Sequence, residues 1–214
     1  MKLGVFDSGI GGEIVAASLR TSFPDALVVT VNDRGNVPYG NRSPSQVRLL
    51  TELALRPLLD GTCDVIVLAC NTSTAFAIEH LRAKYPAQKF IGIEPMIKPA
   101  AASTKSGIIA VCATPGTLAS TRYARLVQSY GSSLQIITPN CSQWAYWIEH
   151  NQVNHDHIKT IIDNVCDRGA DVIVLGCTHY HWIKELIVEL TDGRAVVLEP
   201  SQAISERVSS VLYK

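Results

Sequence analysis

The chain has 214 residues, 47% of them hydrophobic, with 19 basic side chains balanced by 19 acidic ones. That length fills one large domain or two small ones, and the composition carries no sign of disorder, collagen or a membrane span. Neutrality without a Lys/Arg run removes the electrostatic footprint of a general nucleic-acid or anionic-membrane binder, which leaves a small molecule as the default ligand.

In chain order, strands alternate with helices. Met1-Lys2 runs directly into the apolar segment Leu3 to Phe6, a first strand; it is too short, and too soon followed by Asp7-Ser8, for a secretory signal, so a cytoplasmic protein is expected. A helix begins near Gly12 and carries Ile14, Val15, Leu19 and Phe23 at helical spacing, and Ala26 to Val31 returns as a strand. After a loop with Pro38-Tyr39-Gly40, Ser43-Pro44-Ser45-Gln46 supplies an N-cap, a proline at the first helical position and a capping-box glutamine for a helix that stops at Gly61. A strand opening at Asp64, a helix from about Thr74 to Lys84 and a strand at Lys89 to Ile93 complete the first half.

The second half repeats this plan. Gly107 to Cys112 is a strand, Thr117 to Tyr130 an amphipathic helix closed by Gly131, and Leu134 to Thr138 a strand. Helices follow near Ser142 to His150 and Asn154 to Arg168. Then come a strand opening at Asp171, a helix from about His181 to Leu190, a strand at Ala195 to Leu198 and a last helix from Ser201. The two halves share nearly one sentence, DVIVLACNT at Asp64 to Thr72 and DVIVLGCTH at Asp171 to His179. Each is a short β-branched run of the kind that forms a buried parallel strand, and each delivers a cysteine at its carboxyl end, where ligands bind in open α/β sheets. The expected fold class is therefore α/β, with two similar domains, each a mainly parallel sheet flanked by helices, related by a pseudo-twofold with the active site in the cleft between them. Residues 1–95 with 199–214 would form the first domain and 96–198 the second.

Cys70 and Cys177 are the candidate chemical groups. A thiolate is a nucleophile and a useful base, and helix N-termini or nearby cations lower its pKa. Asn71-Thr72-Ser73-Thr74 follows the first cysteine and Thr178-His179 the second, polar groups able to cap a helix or hold an anion. The glycines of Asp7-Ser8-Gly9-Ile10-Gly11-Gly12 let backbone N–H groups approach a ligand, but Ile14 stands where a dinucleotide fingerprint needs its last glycine. Two thiols with one carboxylate, Asp7, and one imidazole, His179, suit proton removal from a carbon on one face and its return on the other, which inverts a centre beside a carboxylate. The rival readings are structural. Asp7 and Ser8 could cap the first helix, and Tyr39 could be a loop-packing aromatic lending only its backbone N–H. Cys63, Cys112, Cys141 and Cys166 read as small buried hydrophobes or incidental surface thiols; His80, His150 and His181 read as surface residues, and His155 with His157 as a poor metal pair.

GVFDSGIGG at Gly4 to Gly12, VPYG at Val37 to Gly40, ACNT at Ala69 to Thr72, IEP at Ile93 to Pro95 and GCTHY at Gly176 to Tyr180 resemble, in order and over the whole chain, the signature blocks of the bacterial glutamate racemase family. The resemblance implies a cofactor-independent, metal-free racemase that interconverts L- and D-glutamate and supplies the D form for peptidoglycan. Matched position by position, it implies Cys70 and Cys177 as catalytic acid/base residues, assisted by Asp7 and His179 respectively. Ser8, Tyr39 and Gly40 would contact the side-chain carboxylate and Asn71, Thr72 and Thr178 the α-carboxylate end. Thr114 and Thr117 would also face the substrate, and Glu149 would lie near His179. The implied partner is glutamate, with no nucleic acid and no membrane, and homodimer formation stays open. Three stretches depart from the usual pattern: Glu13 stands where an apolar residue is usual and would weaken anion binding if turned inward, Arg34-Gly35-Asn36 precedes VPYG, and His181-Trp182 follows GCTHY. Two alternatives remain: a related cysteine-pair enzyme acting on aspartate or another small acid, and a non-catalytic descendant that binds a small acid or a protein.

Overall fold

The computed structural model describes residues Met1 to Tyr213. The chain divides into two compact units, one formed by Met1–Glu94 with the segment from Pro200 onward, the other by Pro95–Glu199.

In the first unit, β1 (Lys2–Asp7), α1 (Gly12–Ser22), β2 (Leu27–Asn32), α2 (Pro44–Asp60), β3 (Val65–Leu68), α3 (Asn71–Lys84) and β4 (Phe90–Gly92) follow one another. The four strands form one parallel sheet in the order β2-β1-β3-β4, with Leu3 beside Val65 and Phe6 beside Leu68. Both faces are covered, which is why β3 is apolar at every position. Alternation along the strands sends Leu3, Val5, Val65 and Val67 to a core shared with Val15, Leu19, Ile204 and Val208. It sends Phe6, Ile66, Leu68 and Cys70 to the opposite core, with Val47, Leu55, Leu58, Ile78 and Leu81. Ser43 caps α2 through the full capping box anticipated from its sequence, with Pro44 at the first helical position.

The second unit contains α4 (Ile97–Ser103), β5 (Ile108–Ala113), α5 (Pro115–Leu118), α6 (Thr121–Tyr130), β6 (Gln135–Ile137), α7 (Trp144–Glu149), α8 (His155–Asp167), β7 (Val172–Gly176), α9 (Lys184–Thr191) and β8 (Val196–Leu198). Its sheet, β6-β5-β7-β8, repeats the strand order of the first and is again parallel throughout. Helix α10 (Ser201–Leu212) then returns to the first unit. The chain is thus of the α/β class, two four-stranded parallel sheets each flanked by helices.

The duplicated aspartates do the same local work. Asp64 accepts the Lys2 backbone N–H at 2.7 Å, and Asp171 accepts the Lys105 and Ser106 N–H groups at 2.7 and 2.8 Å as well as the Thr104 hydroxyl. Each fastens the segment leading into its sheet's other central strand. Four elements differ from the sequence expectation. Helix α3 starts at Asn71, not Thr74, because Cys70 itself is the N-cap. The helix expected over 117–130 breaks into α5 and α6, since the Ser120 hydroxyl accepts the Tyr123 N–H and starts a new helix. Residues 178–183 form a 3₁₀ turn before α9, and α4 occupies a stretch in which no element was anticipated.

Candidate active site

Asp7 ends β1 and is fully buried. Its carboxylate accepts the Gly9 N–H at 2.8 Å, and Gly11 is the N-cap of α1. Gly12 is required here: a Cβ on it would fall 2.6 Å from the Asp7 Cβ. On the neighbouring strand, β3 delivers Cys70 to the N-cap of α3, where its thiol sulfur accepts the Ser73 N–H and the Ser8 hydroxyl, each at 3.4 Å. Burial pushes the Cys70 thiol up to about 11, with the Asp7 carboxylate adding to the rise and the Ser73 and Ser8 donors opposing it. Asn71 and Thr72 follow in the first turn of α3, both buried, and both polar atoms of the Asn71 amide lack a partner within the protein. A buried amide left without partners costs about 1–3 kcal/mol per group, which is tolerated where a ligand supplies the bonds.

Tyr39 and Gly40 lie buried in a 3₁₀ turn. The Tyr39 ring packs against Phe6 with centroids 6.4 Å apart, and its hydroxyl donates to Asp33 at 2.5 Å. Burial, reinforced by Asp33, raises the phenol far above its ordinary value. The side chain is therefore engaged inward, as the packing reading of Tyr39 requires. The unusual Arg34-Gly35-Asn36 segment frames this loop: the Asn36 amide donates to Asp33, and the Asn36 carbonyl accepts two N–H groups of Arg42 at 3.0 and 2.7 Å. Glu13 accepts from Asn32 at 2.8 Å and has Arg20 4.0 Å away, so its charge is directed to those two side chains.

In the second unit, Ala113 of β5 stands beside Gly176 of β7, so Thr114 and Cys177 leave adjacent strands at the same level. A Cβ on Gly176 would meet the Ala113 Cβ at 2.9 Å. Thr114 caps α5: its hydroxyl accepts the Thr117 N–H at 3.2 Å and donates to the Thr117 hydroxyl at 3.0 Å. Cys177 precedes the 3₁₀ turn that carries Thr178 and His179, and it makes no side-chain cap there, unlike Cys70. Its sulfur lies 3.9 Å from His179 Nδ1, and His179 Nε2 lies 2.8 Å from the Glu149 carboxylate at the end of α7. The His179 and Glu149 side chains are only 4% and 5% exposed. This carboxylate–imidazole–thiol line can orient the ring and move a proton to or from the sulfur.

Asp7, Ser8, Tyr39, Gly40, Cys70, Asn71 and Thr72 thus belong to the first unit, and Thr114, Thr117, Glu149, Cys177, Thr178 and His179 to the second. Among the described residues no three His, Cys, Asp or Glu side chains converge as a metal-binding group. Three residues have places that the sequence reading did not give them. Ser73 donates to Cys70 and was legible as the third helical position once Cys70 is taken as the N-cap. Asp33 anchors Tyr39 with no local signal. His181, expected at the surface, is buried, with Glu199 3.8 Å from its ring and the Leu175 backbone beside it. The 3₁₀ turn carries it inward, whereas His80 and His150 are exposed.

Residues 13–204 match the family model described as Asp/Glu/Hydantoin racemase. A glutamate racemase of Pseudomonas aeruginosa (strain UCBPP-PA14) is 36% identical, the match covering 98% of this chain and 81% of that one. Among solved structures, Escherichia coli glutamate racemase in complex with L-glutamate and the activator UDP-MurNAc-Ala superposes with a TM-score of 0.89 at 27% identity, covering 99% of this chain and 82% of that one. Glutamate racemase from Francisella tularensis in complex with D-glutamate gives a TM-score of 0.83 at 27% identity, covering 99% and 81%. With a parallel-sheet unit delivering each thiol and relatives matched over nearly the full length, the chain belongs to the Asp/Glu/Hydantoin racemase family and, within it, to the glutamate racemases.

Proposed function

We propose that this chain is a cytoplasmic, cofactor-independent glutamate racemase that interconverts L- and D-glutamate and supplies the D enantiomer for peptidoglycan. The observation that carries the reading is the first unit's thiol. Cys70 is held at a helix N-terminus by the Ser8 hydroxyl and the Ser73 N–H, beside the partnerless Asn71 amide. Relatives whose structures hold L-glutamate in one case and D-glutamate in another support a substrate accepted in both configurations.

One cysteine thiolate takes the Cα proton, the charge spreads into the α-carboxylate, and the thiol of the other cysteine returns a proton to the opposite face. Cα–H is a very weak acid, so a basic thiolate is the better matched acceptor, and the high pKa of Cys70 serves that step once the proton has left. Asn71, Thr72 and Thr178 hold the α-carboxylate, and Ser8, Tyr39 and Gly40 the side-chain carboxylate. Thr114 and Thr117 complete the polar lining. Asp7 assists Cys70, and Glu149 acts through His179 on Cys177.

The test is incubation of the pure protein with each enantiomer of glutamate, and with aspartate as comparison, in deuterated water. Racemisation with incorporation of α-deuterium from both glutamate enantiomers is expected, with loss of racemisation in Cys70→Ser and Cys177→Ser. Absence of exchange from either glutamate enantiomer would overturn the reading, and faster turnover of aspartate would reassign the substrate. Light scattering on the same preparation reads whether a homodimer forms.

A further inference from the structure

Helix α2 supplies a residue to the Cys70 site that its own sequence position, nineteen residues upstream, does not suggest. Thr51 and Ser73 are both fully buried, and the Thr51 hydroxyl donates to the Ser73 hydroxyl oxygen at 3.1 Å. Having accepted that hydrogen bond, the Ser73 hydroxyl keeps its own hydrogen to donate, and the Ser73 side chain is among the groups that oppose the rise of the Cys70 pKa. Ser73 also presents its backbone N–H to the same sulfur at 3.4 Å. The Thr51 hydroxyl thus donates to a residue that is itself bonded to the sulfur through its N–H. A hydroxyl that accepts a hydrogen bond becomes a better donor, because each bond polarises the next in a low-dielectric interior. Each hydroxyl can be removed with little change in volume, valine matching threonine in size and alanine being the better helix former in place of serine.

We propose that Thr51 and Ser73 are positioning residues of the Cys70 thiolate, Ser73 donating to the sulfur through both its hydroxyl and its N–H, and Thr51 acting only through the Ser73 hydroxyl. The proposal rests on the reading of Cys70 as an acid/base group, but its first measurement does not require racemisation. The Ser73 hydroxyl and N–H, with Ser8, set against the pull of burial and Asp7, then decide what fraction of Cys70 is thiolate near neutral pH.

The experiment follows iodoacetamide alkylation of Cys70 against pH by peptide mass spectrometry, in a Cys177→Ser background. Ser73→Ala should raise the midpoint by about one pH unit and Thr51→Val by about half a unit. Thr51→Ser, which keeps the hydroxyl, should leave it unchanged. The double variant Thr51→Val/Ser73→Ala should match Ser73→Ala alone, since Thr51 then has nothing to act through. In the protein that retains Cys177, the acid limb of the kcat/KM profile should move upward with the alkylation midpoint. Thermal melts establish that each variant is folded, and Thr51→Ala replaces Thr51→Val if the valine protein does not fold. An unchanged midpoint in folded Ser73→Ala and Thr51→Val, or a Thr51→Val shift that adds in full to that of Ser73→Ala, overturns the proposal. A shifted midpoint with no racemisation in the parent would retain the donor chain and refute the catalytic reading instead.

Discussion

His181 is an imidazole enclosed in the second unit two residues beyond His179, facing Glu199, with Lys184 and His179 contributing to its electrostatic surroundings. Burial lowers its pKa from 6.5 to about 4 despite the opposing pull of Glu199. The unfolded chain therefore binds this proton first, between pH 6.5 and 4. The resulting stability is complete above pH 6.5 and is lost as the pH falls toward 4. At pH 5 the loss is roughly 2 kcal/mol, so melting temperatures between pH 7.5 and 5 should fall less steeply in His181→Leu than in the parent. Parallel slopes would show that His181 is not the group responsible. A second expectation concerns Glu149, bound to His179 Nε2 at 2.8 Å. Glu149→Gln keeps the shape and removes the charge that favours an imidazolium, so kcat should fall by about tenfold to a hundredfold with little change in melting temperature. Because mirror-image substrates have an equilibrium constant of one, kcat/KM must fall equally in both directions. Any asymmetry between the Asp7–Cys70 and His179–Cys177 sides appears in kcat and in solvent proton exchange.

Among the elements, the strands that carry the cysteines are fastened at their opposite ends by the aspartates that open the repeated motif. Asp171 accepts two backbone N–H groups and the Thr104 hydroxyl, while Asp64 accepts the Lys2 N–H. Desolvation pushes the Asp171 carboxyl upward, but the Thr104, Ser106 and Lys105 donors outweigh it and bring the pKa down to about 2. Asp171→Ala should therefore cost about 2–3 kcal/mol in urea unfolding and exceed the cost of Asp64→Ala, with equal costs counting against the clamp. The capping box of α2 sits at an exposed helix start, and Ser43→Ala should cost about 1 kcal/mol there without altering racemisation.

Over the whole molecule, the first unit is built from both ends of the chain. Helix α10 returns after the second unit and places Ile204 and Val208 in the core formed by Leu3, Val5, Val15 and Leu19. Ile204→Ala should destabilise by about 2–5 kcal/mol, comparable to a change in the sheet itself, although it lies far along the chain from β1. A thermal melt reads the difference, and a change under 1 kcal/mol would indicate that α10 contributes little to that core. No helix among the described residues is long and apolar enough to cross a membrane.

The sequence by itself determined the α/β class, the duplicated strand plan and the positions of the two cysteines. Period-two and period-3.6 patterns, glycine stops and the repeated DVIVL motif are local signals, each readable within a few residues. It also located the capping box, whose four positions are contiguous. Tertiary structure alone decided that Cys70 is itself a helix cap, that Glu13 turns to Asn32 and that Tyr39 is tied to Asp33. It alone decided that His181 is buried and that Thr51 meets Ser73. Each of those facts depends on which elements pack side by side, or on a choice between 3₁₀ and α geometry. Local propensity is nearly neutral to that choice, which the packed core settles.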